Sequence, residues 1–276
     1  MTSTAGSTTP SARPVRRAAV VTHGRYELIG AALERVQETA MRAGVEILLD
    51  GGALESADIA VVLGGDGTML RALTMFLGRP VPVIGVNFGR VGFLSSMAQD
   101  ELEVGLARVF AGEYDVVELP TLEVETGETR HVAVNDAVVT SGVLGRMVEL
   151  EWAVGGEDLG KQPCDGVICS TPSGSTAYNL SNGGPVLVWG IDAMAITFVA
   201  PHSLHARPLV VPRGRDLVVS NRTADVPVAV LVDGQHVADA APRDGEVTIR
   251  LGDAHSLLAT LPEATFVRRY RQSFAS

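Results

Sequence analysis

The sequence predicts an N-terminal α/β domain on a parallel sheet, followed by a C-terminal, mostly antiparallel β-sandwich-like domain. Three observations carry this. Up to about residue 115, apolar strand-like runs alternate with segments of helical period, the pattern of a parallel sheet with helices on both faces. From about Val116, short β-rich runs recur between turn residues and helical spacing nearly vanishes. Between Val61 and Leu70 the chain reads VVLGGDGTML, a buried strand turning through glycines into a helix.

Taken in order, the Ser/Thr/Pro-rich residues 1–15 read as a disordered tail, and residues 16–115 as the α/β domain. Arg17–His23 is its first strand. Ile29, Leu33, Val36 and Ala40 then mark one face of a helix over 27–43, stopped by Gly44. Val45–Leu49 is a second strand, Asp58–Leu63 the central one, and Thr68–Leu77 the next helix. Pro80–Val86 is a strand, and Asp100–Ala111 a helix with Asp100 as its cap. Over residues 116–257, strands are expected at 116–125, 130–140, 147–154, 166–170, 194–200, 217–220, 226–232 and 247–251. The tail 258–276, with Phe266, Val267, Tyr270 and Phe274 among arginines, reads as a short amphipathic segment that joins the first domain.

Composition removes several function classes. The chain is 46% hydrophobic and 20% charged, so it is globular, and no apolar run nears the ~20 residues of a membrane span. No secretion signal is evident, which predicts a cytoplasmic protein. A net charge of −10 argues against nucleic-acid binding through a basic face. Lys161 is the only lysine and no G-x-x-x-x-G-K-[ST] loop exists, which excludes a P-loop phosphotransferase. Cys164 and Cys169 lie on opposite faces of what reads as one strand and are not expected to pair. No Cys/His cluster has zinc-finger spacing.

Four stretches carry candidate chemistry. Gly64, Gly65, Gly67 and Thr68 form a turn whose backbone N–H groups can approach a phosphate at a helix start. Gly65 and Gly67 are expected either to adopt positive φ or to let phosphates reach the backbone. Asp66 repels phosphate and so suits a hydroxyl to be deprotonated or a metal ion; the alternative is a tight Asp-Gly turn. Asn135 and Asp136 are polar within an apolar strand, fitting either a bulge or recognition of sugar hydroxyls or a base. Asp165–Pro185 runs a strand into Thr171-Pro172, a hydroxyl-rich turn and a short helix from about Ser175. It fits an anionic or hydroxylated ligand, or else a Ser/Thr-capped helix. Asp233-Gly234 reads as a hairpin turn with little functional weight.

GGDGTML (64–70), GVNFGRVGFL (85–94), VNDAVV (134–139), DGVICSTPSGSTAYNLSNGGPV (165–186), PHSLHARPLVV (201–211) and VDGQ (232–235) resemble the ordered motifs of the bacterial NAD kinases. The resemblance runs from about residue 17 to the C-terminus. It implies transfer of phosphate from ATP or polyphosphate to the 2′-hydroxyl of the adenosine ribose of NAD, giving NADP. Mg²⁺ or another divalent cation would accompany the donor. A cytoplasmic homodimer or homotetramer is also implied, with much of the NAD site in the β domain.

Carried over by motif, Asp66 is the catalytic base or hydroxyl-orienting carboxylate, and Gly64, Gly65, Gly67 and Thr68 form the phosphate loop. NAD would meet Asp66, Gly67, Phe93 by the adenine, Asn135 and Asp136 at the ribose, and Ser173, Thr176, Ala177 and Tyr178. Asp165 would reach the nicotinamide end from a neighbouring subunit. No side chain is assigned to a metal. The chain departs from the family in Asp136, where glutamate is usual, and in Ser173, where threonine is commoner. The alternatives are a lipid, sugar or nucleoside kinase sharing GGDGT, and a non-catalytic dinucleotide sensor.

Overall fold

The protein is described by a computed structural model covering residues 8–10, 13–22, 26–49, 54–88, 92–240 and 245–274. The expected strand end at His23, most of the expected disordered tail and Gly89–Val91 of the 85–94 motif lie outside these residues. Within that tail, residues 8–10 form a strand, β1 (Thr8–Pro10). The first stretch continues with β2 (Arg17–Thr22), α1 (Tyr26–Ala43), β3 (Glu46–Leu48), β4 (Ile59–Leu63) and α2 (Asp66–Met75). Then come β5 (Val83–Asn87), β6 (Met97–Ala98) and α3 (Leu102–Phe110).

The β-rich stretch holds β7 (Asp115–Thr126), β8 (Thr129–Ala133), β9 (Asp136–Ser141), β10 (Val148–Val154), β11 (Glu157–Cys164) and β12 (Gly166–Ser170). A 3₁₀ turn at Gly174–Thr176 and the single-turn α4 (Tyr178–Ser181) follow. After them lie β13 (Ala193–Val199), β14 (Leu209–Pro212), β15 (Leu217–Asn221), β16 (Val228–Val232) and β17 (Gln235–Ala240). The last elements are β18 (Glu246–Thr260) and α5 (Phe266–Phe274).

Among the described residues the chain divides into two compact units, one of Leu119–Ala254 and one of those from Thr8 to Glu118 with those from His255 onward. In the second of these, β5, β4, β2 and β3 pair in parallel in that order, and Leu258 of β18 pairs in parallel with Val83 of β5. Strand β1 pairs with Asp115–Val117 of β7. Every side chain of β4 and β5 is buried, as expected for strands covered on both faces. The predicted helix face supplies Val36 and Ala40 to a core with Val61, Ile84, Leu106 and Val109, with Ile29 and Leu33 partly buried against it, and Ala32, outside the predicted face, joins the core. Packing of α1 on α3 is tied by Arg35, whose Nε and Nη2 donate to Glu103 Oε1 at 2.5 Å and Oε2 at 2.6 Å.

The Leu119–Ala254 unit is a two-sheet sandwich. One sheet runs β14-β13-β12-β9-β16-β17, all antiparallel. The other runs β11-β10-β15-β18, also antiparallel. Leu150, Leu217 and Val247 from this sheet meet Val139, Val167, Met194 and Val230 from the first in one core.

Several elements differ from expectation. Helix α2 begins at Asp66, so the acidic residue belongs to the first helical turn. Asp100 does not cap α3; Glu101 accepts from the Ala98 N–H at 3.1 Å, because its longer arm folds back on the chain. The run 130–140 is two strands, β8 and β9, broken at Val134-Asn135. Cys164 ends β11 while Cys169 lies within β12, and both are free and buried. Strands β11, β14 and β17 escape a reading by apolar alternation because most of their side chains are polar or exposed, and β18 extends to Thr260.

Candidate active site

In the α/β unit the turn after β4 presents Gly64–Thr68. Gly65 caps α2 with extended backbone, φ −87° and ψ −172°. Neither Gly65 nor Gly67 adopts positive φ, and a Cβ on either would meet nothing within 4 Å. Of the two expected alternatives the positive-φ one is excluded, and the other stays open: these glycines offer bare backbone at a helix start, where N–H groups lack intrahelical acceptors. Gly64 is the sterically constrained one. A Cβ there would stand 2.6 Å from Thr68 Oγ1, and Thr68 is buried against the turn.

Asp66 does not hang free. Its Oδ2 accepts from the Phe93 N–H at 2.7 Å and its Oδ1 from the Leu94 N–H at 3.1 Å. Gly92 leaves room for this, since a Cβ there would sit 2.0 Å from Asp66 Oδ1. Two amide bonds fix the carboxylate rotamer while lone pairs on both oxygens stay available to a hydroxyl. The Phe93 ring is buried, edge-on to Phe266 at 5.2 Å and stacked on Phe274 at 6.1 Å, so α5 covers it.

In the β unit, the organiser of the Asn135-Asp136 break is Asp233. It sits at φ 49° in the two-residue loop joining Val232 to Gln235, with Gly234 at φ 77° beside it, as a primed hairpin turn requires. Its carboxylate accepts from the N–H groups of Val134 (2.9 Å), Asn135 (2.7 Å) and Asp136 (3.2 Å). Its own N–H donates to Asp136 O at 2.9 Å. The expected hairpin turn is present, and its carboxylate organises the strand break as well. The available signal was its place in the ordered motif series, since a hairpin reading alone hides it.

The hydroxyl-rich turn grips the same break from the other side. Thr171 donates its N–H to Asn135 O (2.9 Å) and its Oγ1 proton to Val134 O (2.7 Å). Ser173 Oγ donates to Asn135 Oδ1 at 3.1 Å, leaving the Asn135 amide nitrogen as the donor a ligand can meet. Gly174 is packed so closely that a Cβ would fall 2.1 Å from Asn135 O. Ser175 and Asn179, fully buried, tie the turn to Leu187, Pro185 and Thr197. Thr176 is half-buried, whereas Ala177 and Tyr178 are exposed.

Asp136 is 7% exposed and receives no donor among the described residues. Burial, then the neighbouring Asp233 charge, push its carboxyl up to about 7. Burial also raises Asp233, opposed by its three N–H donors. Of the two, Asp233 is the better stabilised as an anion, because it holds three amide donors. Asp165 is exposed and precedes β12, whereas Thr171 follows it. The five residues of β12, about 17 Å of strand, separate Asp165 from the stretch that leads into the Ser173–Tyr178 turn. Among the described residues no group of three His, Cys, Asp or Glu side chains could hold a metal ion.

The α/β unit thus carries a glycine-rich turn with a fixed carboxylate at the end of a buried parallel strand, and the β unit carries a polar strand break of its own. Residues 30–114 match the ATP-NAD kinase N-terminal domain, and residues 134–261 match the ATP-NAD kinase C-terminal domain. The chain belongs to the ATP-NAD kinase family. It is 37% identical over 249 residues to an NAD kinase of Heliobacterium modesticaldum, covering 88% of this chain and 87% of that one. It is 39% identical over 222 residues to one of Gemmatimonas aurantiaca, covering 78% and 76%. A solved NAD kinase from Archaeoglobus fulgidus, in complex with ATP, superposes with a TM-score of 0.75 at 30% identity, over 94% of this chain and 97% of that one. Yeast NADH kinase, solved with NADH, shares the fold at a TM-score of 0.81 and 22% identity, over 100% of this chain and 95% of that one.

Proposed function

We propose that this NAD kinase uses Asp66 to activate the 2′-hydroxyl of the adenosine ribose of NAD. The hydroxyl proton passes to the Asp66 carboxylate as the 2′-oxygen bonds to the γ-phosphorus of ATP. The bond to the β–γ bridging oxygen breaks, and ADP and NADP are the products. The observation that carries this reading is the pair of amide bonds from Phe93 and Leu94, which hold a carboxylate in the first turn of a helix that follows a buried strand. A divalent cation enters with ATP as part of the donor, where it would neutralise charge on the phosphates.

Gly65 and Gly67 offer backbone to the donor phosphates, and Asn135, Asp136, Ser173, Thr176, Ala177 and Tyr178 line the NAD side. Asp165 meets NAD from a neighbouring subunit, a reading supported by its position at the far end of β12 from Ser173. A homodimer or homotetramer follows from this. Polyphosphate is proposed as a second donor, and the cytoplasm as the location. Among the described residues no helix is long and apolar enough to cross a membrane.

The test is Asp66→Asn, incubated with ATP, Mg²⁺ and NAD and followed by chromatography of NADP. Turnover should fall about 10²–10⁴-fold, the range of general-base catalysis, while the NAD dissociation constant moves little. Full activity in the variant would assign hydroxyl activation to another group. NAD binding by the parent protein without NADP from any donor would make it a dinucleotide sensor.

A further inference from the structure

Helix α5 carries an arginine where a surface residue is expected. Arg269 is 4% exposed, flanked by exposed Arg268 and Tyr270. Its Nε donates to Ala264 O at 3.1 Å, one Nη to Phe93 O at 3.0 Å and to Ser95 O, and the other Nη to Ser96 Oγ at 3.0 Å. Burial lowers its pKa to about 10, which still leaves it charged at neutral pH, and the Asp66 carboxylate opposes that shift.

A buried guanidinium bonded to carbonyl and hydroxyl oxygens is costly unless its geometry is used. Here one residue links it to the carboxylate of the reaction. Phe93 receives the guanidinium at its carbonyl and gives its N–H to Asp66 Oδ2, and the next residue, Leu94, gives its N–H to Oδ1. The same helix fixes the Phe93 ring through Phe266 and Phe274. Gly92 at the start of this segment has no space for a side chain, so the segment cannot slide without meeting the carboxylate.

We infer that Arg269 is a positioning residue for phosphoryl transfer, locking the Phe93–Ser96 segment so that its amides hold Asp66 in the reactive rotamer. This rests on the proposed role of Asp66. Loss of the guanidinium frees the segment, and a misplacement of about 1 Å at a reacting group costs about 10²-fold in rate. NAD binding, to which Asn135, Asp136 and the Ser173–Tyr178 turn contribute most under the proposed function, is largely retained.

The experiment is a double-mutant cycle in the full chain: Arg269→Gln, Asp66→Asn and both together, measuring kcat for NADP formation, the NAD dissociation constant and the melting temperature. Arg269→Lys is the second variant, because it keeps the charge if Arg269→Gln does not fold; Arg271→Gln is the exposed control. The expected result is a kcat loss of about 10²-fold in Arg269→Gln, and a smaller loss in Arg269→Lys, whose one ammonium cannot serve all the acceptors. NAD affinity should stay within about 2-fold of wild type, and the double variant should be no slower than Asp66→Asn alone. Losses that multiply in the double variant, or a folded Arg269→Lys with unchanged kcat, overturn the inference. Full turnover in Asp66→Asn alone removes the role of Asp66 and this inference with it, and is read separately from the single variant.

Discussion

Replacing Asp136 by Asn should change how stability depends on pH. Asp136 is buried without a donor, beside an Asp233 that holds three. Its carboxyl titrates at about 7 in the folded protein, against an ordinary value near 3.8. Between these values the folded chain keeps a proton that the unfolded chain has released. Stability therefore falls as pH rises from about 4 to about 7, by about 1.4 kcal/mol per unit, and is flat in this respect above 7. The full span amounts to about 4 kcal/mol. Asparagine fills nearly the same space and never ionises. Urea unfolding of wild type and Asp136→Asn between pH 4 and 8, read by tryptophan fluorescence, should give similar stabilities at the acid end and a variant more stable by a few kcal/mol at pH 8. Parallel curves across the range would show that Asp136 ionises normally when folded, and the argument from burial would fail.

Other perturbations separate the parts of the site. Gly92→Ala would press a Cβ onto Asp66 Oδ1, so kcat should drop about 10²-fold with NAD affinity retained; steady-state kinetics with a binding isotherm checks both. Gly67→Ala meets no protein atom within 4 Å, so its melting temperature should stay near wild type while the Michaelis constant for ATP rises; unchanged ATP use would remove the phosphate role of the loop. Asp233→Ala leaves three amides without their acceptor and should cost about 2–4 kcal/mol in urea unfolding as well as NAD affinity, whereas Asp233→Asn, tolerant of positive φ, should cost less.

The sequence makes a good part of this legible. The apolar run before Gly64 and the spacing of Leu33, Val36 and Ala40 are local signals, and the strand and helix they predict are present. The hydroxyl cluster after Pro172 is local too, and its turn forms where expected. What stays hidden is long-range pairing. Asp233 bonds amides 97 to 99 residues away, and nothing in an Asp-Gly turn says what its carboxylate will meet. Arg269 reaches oxygens 173 to 176 residues back, while its helical neighbours are surface arginines. The conformation of Gly65 is hidden for a different reason: a glycine chosen for a ligand's approach reads the same as one chosen for its own φ.

Asp66 in the α/β unit and Asp136 and Asp233 in the β unit each lie beside glycine or asparagine, and apart from the motif match their local sequence does not rank them. The number of amide donors on each carboxylate does. Asp233 holds three and is fully engaged in shaping the strand break, so it is a structural anion. Asp136 holds none among the described residues, and burial raises its pKa to about 7, so nothing fixes its direction as the amides fix the other two. Asp66 holds two, enough to fix its direction and too few to fill its lone pairs. Of the three, it alone is both oriented and able to accept a proton, which is why the transfer step is assigned to it.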